Sequence, residues 1–371
     1  MKIGINAFQN AWRLSREIGL DPHKAASLMR LLAAENVLIS SKSESFLLGE
    51  GIPVKVAMRL SEPLEEGHFK RFTEALEAHK IRAIPLTDTD YPIALNQIPD
   101  APVMLYIKGE LPVNVPSVAL VGTRKCSGYG LTISAKLIRE ISLWKPLVIS
   151  GLAYGIDTAV HRACVENGVP TLGVLAHGLD RIYPAVHQGI ASEILKKGGA
   201  LLSECPPGVG PRPFLFPKRN RIVAGLADGV IVVESGEKGG SLITAELAES
   251  YHREVGAVPG QADSPASKGC HTLIQTNRAA LICNGLQIAQ LLDWPLINVS
   301  PKIIDLSQFD DVQDGHKLIV KALSNHTSLH IDELVLQTGI AAGKLSALIL
   351  DLELKGLVYK IDGLKYKIQS I

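Results

Sequence analysis

From residue 116 onward, short runs that are apolar throughout alternate with amphipathic stretches of helical period. This alternation constrains the fold more than any other feature. The runs "SVALVG", "PLVISG", "TLGVLAHG", "ALLSE", "VIVVES" and "VGAVPG" read as strands. Between and after them, "LTISAKLIREIS", "IDTAVHRACVENG", "IASEILKKGG", "KRNRIVAGLADG", "SLITAELAESYHRE" and "HTLIQTN" read as helices. A strand that is apolar on both sides must be covered on both sides. The pattern therefore predicts an α/β domain with a Rossmann-like, doubly wound, mostly parallel sheet, reaching roughly to Trp294.

The flanking regions differ. Residues 1–80 carry apolar positions at helical spacing, broken at "GLDPH", where Asp21 can cap a helix and Pro22 can open it. The stretch "LLGEGIPVKVAMRL" reads as helix, glycine turn, helix. That pairing resembles helix-hairpin-helix or SAM-like modules, which touch DNA phosphates through turn amides. A plain packing domain is the alternative. Residues 81–295 form the Rossmann-like domain, with 81–115 as a Pro- and Asp-rich connector holding one or two edge strands. Residues 296–311 read as a linker. Residues 312–371 hold three short helices and a hairpin, "LVYKIDGLKYKI", turning at Asp362-Gly363, the outline of a winged helix.

Positive and negative charges nearly cancel, leaving +1 over 371 residues, so any grip on an anion must come from a local patch. The five cysteines (Cys126, Cys164, Cys205, Cys270, Cys283) form no C-x-x-C. With no secretory leader, the expectation is a reducing cytoplasm. No apolar stretch is long enough to span a membrane. Aromatic residues are only 5%, which argues against extensive base-stacking platforms.

In an open parallel sheet, ligands meet the loops that leave the carboxyl ends of the strands. In "VGTRKCSGYG", Gly122, Gly128 and Gly130 allow tight backbone geometry ahead of a helix, where N–H groups suit a phosphate. The spacing is neither G-x-G-x-x-G nor a Walker loop, so no dinucleotide cofactor is expected. Arg124 could meet a phosphate bidentately or pack across neighbouring loops. In "GEKGGSLITAEL", Ser241 and Thr244 could cap a helix or meet an anion, with Lys238 nearby. The segment from Pro211 to Arg221 has four cations and no acid. There Phe214 and Phe216 are expected to anchor a turn, leaving Lys218, Arg219 and Arg221 free to face a ligand. Asp157, Asp180, Glu204 and Glu234 fall near strand ends. Such carboxylates could serve as an acid/base pair or simply cap helices and pair with arginines. No metal-ligand spacing and no G-x-S-x-G elbow occurs.

Taken together, "VGTRKCSGYG", "SGLAYGIDTAVHRACVENGVPTLGVLAHGLDRIYP", "LLSECPPG", "FPKRNRIVAGLADGVIVVES", "GGSLITA" and "AVPG" closely resemble the DNA-processing protein A family (DprA, also called Smf). The resemblance runs over about residues 85–285. It implies a cytoplasmic, non-catalytic, homodimeric protein of natural transformation. Such a protein binds and protects single-stranded DNA and helps load the recombinase RecA, with no cofactor. Carried over by position, the DNA-contact candidates are Gly122, Arg124, Gly151, Lys218, Arg219, Asn220 and Arg221, with Lys238 as an addition. The chain departs from the family pattern at Thr123 (usually serine), Tyr154 (commonly arginine) and Gly240 (serine). Tyr154 exchanges a charge for a ring that can stack on a base. The competing function is a nucleotide-binding or nucleotide-hydrolysing Rossmann-like enzyme of the lysine-decarboxylase-like type. Its P-G-G-x-G-T-x-x-E signature is absent here. In the winged helix, the third helix sets Lys344 and Lys355 against Asp351 and Glu353, where a groove reader would be more basic. This favours a protein-contact or packing role for this unit over DNA reading.

Overall fold

The computed structural model describes residues 5–17, 19–64, 66–112, 115–295, 314–324, 326, 328–361 and 363–368. The expected linker at 296–311 and the turn residue Asp362 lie outside them. The chain forms two compact units, Met1–Leu296 and Ile297–Ile371.

The first unit begins with helices α1 (Ile5–Arg16), α2 (Pro22–Glu35), α3 (Glu44–Gly49), α4 (Val54–Ser61) and α5 (Glu66–Ala78). Asp21 caps α2 through its side chain, which accepts from the Lys24 N–H at 3.1 Å, and Pro22 occupies the first helical position. At the α3–α4 turn, the N–H groups of Glu50, Gly51 and Ile52 all donate to carbonyls of Phe46, Leu48 and Leu47. These three turn amides are satisfied within the hairpin. The helices share a core with the sheet: Phe72 meets Trp12 at 5.4 Å and Tyr106 at 6.1 Å between ring centroids.

After β1 (Arg82–Pro85), the short helix α6 (Ile93–Asn96) and β2 (Met104–Gly109), strands and helices alternate. They are β3 (Ser117–Gly122), α7 (Gly128–Ile141), β4 (Leu147–Ser150), α8 (Ile156–Asn167), β5 (Thr171–Leu175), α9 (Gln188–Lys196), β6 (Ala200–Ser203) and α10 (Leu215–Leu226). Next come β7 (Gly229–Glu234), α11 (Gly240–Ser250), β8 (Glu254–Ala257), α12 (Lys268–Gln275), β9 (Ala280–Leu281) and α13 (Gly285–Leu291). The nine strands run in the order β1-β2-β6-β5-β4-β3-β7-β8-β9. All neighbours from β6 to β9 are parallel; the connector strands β1 and β2 add an antiparallel margin. Alternation along β3 shows both faces covered. Val118 and Leu120 join the core with α7, α8 and α13, while Ala119 and Val121 join the core that includes α10 and α11.

The second unit contains α14 (Asp314–Ser324), β10 (Leu329–His330), α15 (Ile331–Thr338), α16 (Ala342–Leu354), β11 (Val358–Lys360) and β12 (Lys365–Ile368). Its antiparallel sheet has the order β10-β12-β11 and packs on the helices through Leu329, Val358 and Tyr366. Helices and sheet together make the winged helix.

Candidate nucleic-acid interface

Strand order reverses between β3 and β7, so the crevice expected to take a ligand opens at their carboxyl ends. The anion at the start of α7 is the protein's own. Glu234, at the end of β7 and 2% exposed, accepts from the Ser127 N–H at 2.8 Å and the Ser127 hydroxyl at 2.6 Å. A Cβ on Gly130 would come within 2.5 Å of the Glu234 carboxylate, and one on Gly122 within 2.5 Å of Ile156. These glycines are needed for close packing around a buried carboxylate. A dinucleotide pyrophosphate would have to displace that carboxylate, which accounts physically for the missing fingerprint.

The next loop, between β4 and α8, covers two buried ionisable side chains. Asp157, in the first turn of α8, accepts from the Ala153 N–H at 3.2 Å. Arg219 of α10 lies beneath the same loop, 5% exposed, and a Cβ on Gly151 would strike its guanidinium. Burial pushes the Asp157 carboxyl up, and the positive field of Arg219 opposes that rise. Burial likewise lowers the Arg219 pKa, and the nearby Arg124 cation lowers it further.

Above this pair lies an open pocket. It is lined by Arg124 from the first loop, Gly151 to Tyr154 from the second, Leu175 to His177, Tyr183 and Pro184 from the third, and Phe216 from α10. The Arg124 guanidinium stands 5.1 Å from the centroid of the Phe216 ring. Tyr183 lies 6.2 Å from Phe216 and 6.4 Å from His177, and Tyr154 lies edge-on to His187 at 5.0 Å. Tyr154 and Tyr183 are each about half exposed. Burial lowers the His177 pKa; its Nε2 accepts from the Tyr183 N–H and its Nδ1 bonds the Gly178 carbonyl. The site thus combines an exposed cation, a second cation beneath the floor and rings with accessible faces.

The basic segment departs from expectation. Helix α10 begins at Leu215, so Phe216 and Pro217 belong to its first turn, where proline's missing N–H costs nothing. Leu215 is the buried anchor; Phe214 is half exposed, and Phe216 contributes a ring to the pocket. Arg219 and Arg221 do not face outward. Arg221 is 4% exposed and ion-paired with Glu204 and Asp100, and it donates to the Asp100 carbonyl. The physical reason is that α10 is enclosed on most sides, with Ile222 to Leu226 all buried. Arg219 and Arg221 therefore lie inside although they point to nearly opposite sides of the helix, and Arg221 is met there by acids. Lys218 borders a separate small cavity with Ser15, Glu17, Glu204 and Arg221. Asn220 is half buried, and Lys238 is exposed on the loop after β7; neither lines the pocket. Ser241 does not cap α11. It is buried and bonds the Ser235 hydroxyl at 2.9 Å.

Of the sequence-derived candidates, the pocket therefore unites Arg124 and Gly151, with Arg219 beneath. Tyr183 and Phe216 do not stand out in the sequence as ligand contacts. The one hint is an aromatic residue beside a proline in each of two strand-end loops. The four strand-end carboxylates are all engaged: Asp157 and Glu234 as above, Glu204 with Arg221, and Asp180 with Arg181 and the Gly208 N–H.

The family model for DNA recombination-mediator protein A matches residues 82–293, and that for the DprA winged helix domain matches 310–363. DNA processing protein DprA of Streptococcus pneumoniae is 42% identical over 213 residues, covering 57% of this chain and 74% of that protein. Protein Smf of Escherichia coli is 34% identical over 292 residues, covering 78% of each. The crystal structure of the S. pneumoniae protein superposes with a TM-score of 0.66 at 34% identity, over 76% of this chain and 97% of that one. A Helicobacter pylori DNA processing protein A, whose structure was described for its single-stranded DNA binding mode, superposes with a TM-score of 0.52 at 27% identity. That match covers 57% of this chain and 95% of the other.

Proposed function

The chain belongs to the DNA recombination-mediator protein A (DprA/Smf) family, and from that premise we propose that it binds single-stranded DNA in the strand-end pocket. The observation that carries this is the pairing of Arg124 with the Phe216 ring beside Tyr154 and Tyr183. A cation meets a phosphate and the rings offer surfaces to an unstacked base. In a duplex the base faces are already stacked, and stiff duplex resists bending into a concave pocket. Arg219, buried beneath Gly151, contributes positive field to the pocket floor. The engaged carboxylates support binding rather than hydrolysis. In this reading Gly122 and Gly151 act through packing, Lys218, Asn220 and Lys238 flank the strand's path, and Arg221 holds α10 in place. The family resemblance supplies the wider role: protection of incoming strands in natural transformation, loading of the recombinase RecA, assembly as a homodimer, and a cytoplasmic location.

The test is a salt series of fluorescence anisotropy with an oligothymidylate and a matching duplex. Single strands should bind more tightly, and log K should fall with log salt by about 0.7 for each phosphate neutralised. Arg124→Glu should weaken binding with its melting temperature unchanged. A single-strand affinity independent of salt would overturn the reading.

A further inference from the structure

The winged helix carries its cations in an unusual place. In a groove-reading winged helix, the exposed face of the third helix is polar and basic. Here that helix, α16, exposes Leu350 and Leu354, and Lys355 is paired with Asp351 at 2.8 Å. The free positive charge lies on the hairpin instead. From Lys355 to Ile371 there are four lysines and a single acid, Asp362. Among the described residues, Lys360, Lys365 and Lys367 have no acidic partner within ion-pair distance.

Strand alternation sorts these side chains. Val358 and Tyr366 point into the core; Tyr359, Lys365 and Lys367 point the other way. Tyr359 and Lys367 are direct cross-strand partners, and Ile361 is joined to Lys365 through its N–H. The open face of the hairpin therefore shows a half-exposed phenol ring and an exposed isoleucine, each beside a lysine. Two lysines on neighbouring rows can follow a phosphate backbone while the ring receives a base. A duplex groove offers no free base to Tyr359, so the pattern suits a single strand.

We propose that the open face of the β11–β12 hairpin, through Tyr359, Lys365 and Lys367, is a second contact for single-stranded nucleic acid, separate from the strand-end pocket. It rests on charge complementarity and on the ring, and it deepens the single-strand reading without using any residue of the first site.

The full-length protein is tested by the same anisotropy salt series on an oligothymidylate. Lys365→Glu/Lys367→Glu should weaken binding at low salt and reduce the slope by about 1.4, which is about 0.7 for each of the two lysines. Tyr359→Ala should weaken binding with the slope unchanged, and Tyr359→Phe should bind like the parent protein. Tyr359 and Lys365 are exposed and Lys367 is half-buried, and none of them belongs to the core of this unit, so circular dichroism and melting should match the parent protein. If the hairpin variants bind normally while Arg124→Glu binds weakly, the proposal fails and the pocket reading stands. If the hairpin variants bind weakly while Arg124→Glu binds normally, the pocket reading fails and the proposal stands. Normal DNA binding by the double variant together with loss of sedimentation on phosphatidylserine vesicles would assign the face to a membrane surface and overturn the proposal.

Discussion

Gly151 and Arg219 occupy one space: a Cβ on Gly151 would lie 1.7 Å from a guanidinium nitrogen of Arg219. The glycine is there to admit the arginine, and the arginine keeps positive charge directly under the loop that borders the pocket. Conformational freedom is not the reason, since the backbone at Gly151 does not take a positive φ.

Gly151→Ala should therefore push Arg219 out of place. Overpacking of this kind typically costs about 1–3 kcal/mol. Urea unfolding should show a lowered midpoint, and single-strand affinity should fall with it. Because the clash needs both partners, Gly151→Ala/Arg219→Gln should be less destabilised than the sum of its single changes. Strict additivity would show that the two residues do not share this space in solution.

Arg221 presents the opposite case, a cation with no route to solvent. Breaking a buried pair by removing one partner costs about 3–5 kcal/mol. Arg221→Glu would set a third carboxylate against Glu204 and Asp100, so it should unfold the protein or lower its melting temperature steeply. Loss of DNA binding in that variant would report the fold, not a phosphate contact. Glu204→Gln, which keeps a hydrogen-bond acceptor, should be milder. An Arg221→Glu protein with parental stability and weak DNA binding would place the side chain outside.

How much of this was legible in the sequence depends on what each feature required. The strands of the sheet were legible because apolar runs such as "SVALVG" are their own signal, and the helical string "IDTAVHRACVENG" ends at Gly168, which takes a left-handed cap in the structure. The anion at the start of α7 was not legible. Ser127 and Glu234 are far apart in sequence, and only the adjacency of β3 and β7 brings them together. The basic segment misled for a related reason. Charge density locates cations, but the packing around α10 decides which enter the core, and that packing comes from elements distant in the sequence, such as Asp100 and Glu204 around Arg221. The ring cluster is hidden in the sequence because it is assembled from separate loops in a chain poor in aromatics.

Tyr154 separates stacking from charge. It stands where arginine is common in the family, and its ring is about half exposed. Tyr154→Ala should lose about 1–3 kcal/mol of single-strand binding, with the salt slope unchanged. Tyr154→Phe should retain affinity, and Tyr154→Arg should steepen the slope by about 0.7. Unaltered binding in Tyr154→Ala would remove the ring from the account.

Acid stability provides the last test, through His161. This side chain is fully buried, its Nδ1 bonded to the Thr171 hydroxyl at 2.8 Å and its Nε2 without a hydrogen-bond partner. Thr171 donates its own proton to the Val148 carbonyl, so Nδ1 carries the imidazole proton and Nε2 is bare. Burial, then Arg219, then His187 push the His161 pKa down from 6.5 to about 3. The folded state resists protonation there, whereas the unfolded chain takes a proton near 6.5. The unfolded state thus binds more protons between those values, and stability falls as pH drops from about 6.5 toward 3. Asp157, whose pKa is raised, contributes with the opposite sign in the carboxylate range, but that contribution is common to parent and variant. His161→Asn, which keeps a donor toward Thr171, should be less stable at neutral pH and should lose stability more gently on acidification. Urea midpoints from about pH 8 to about pH 4 bracket that window and measure the difference. Parallel curves for the two proteins would mean that His161 titrates normally and that Arg219 does not reach it through the fold.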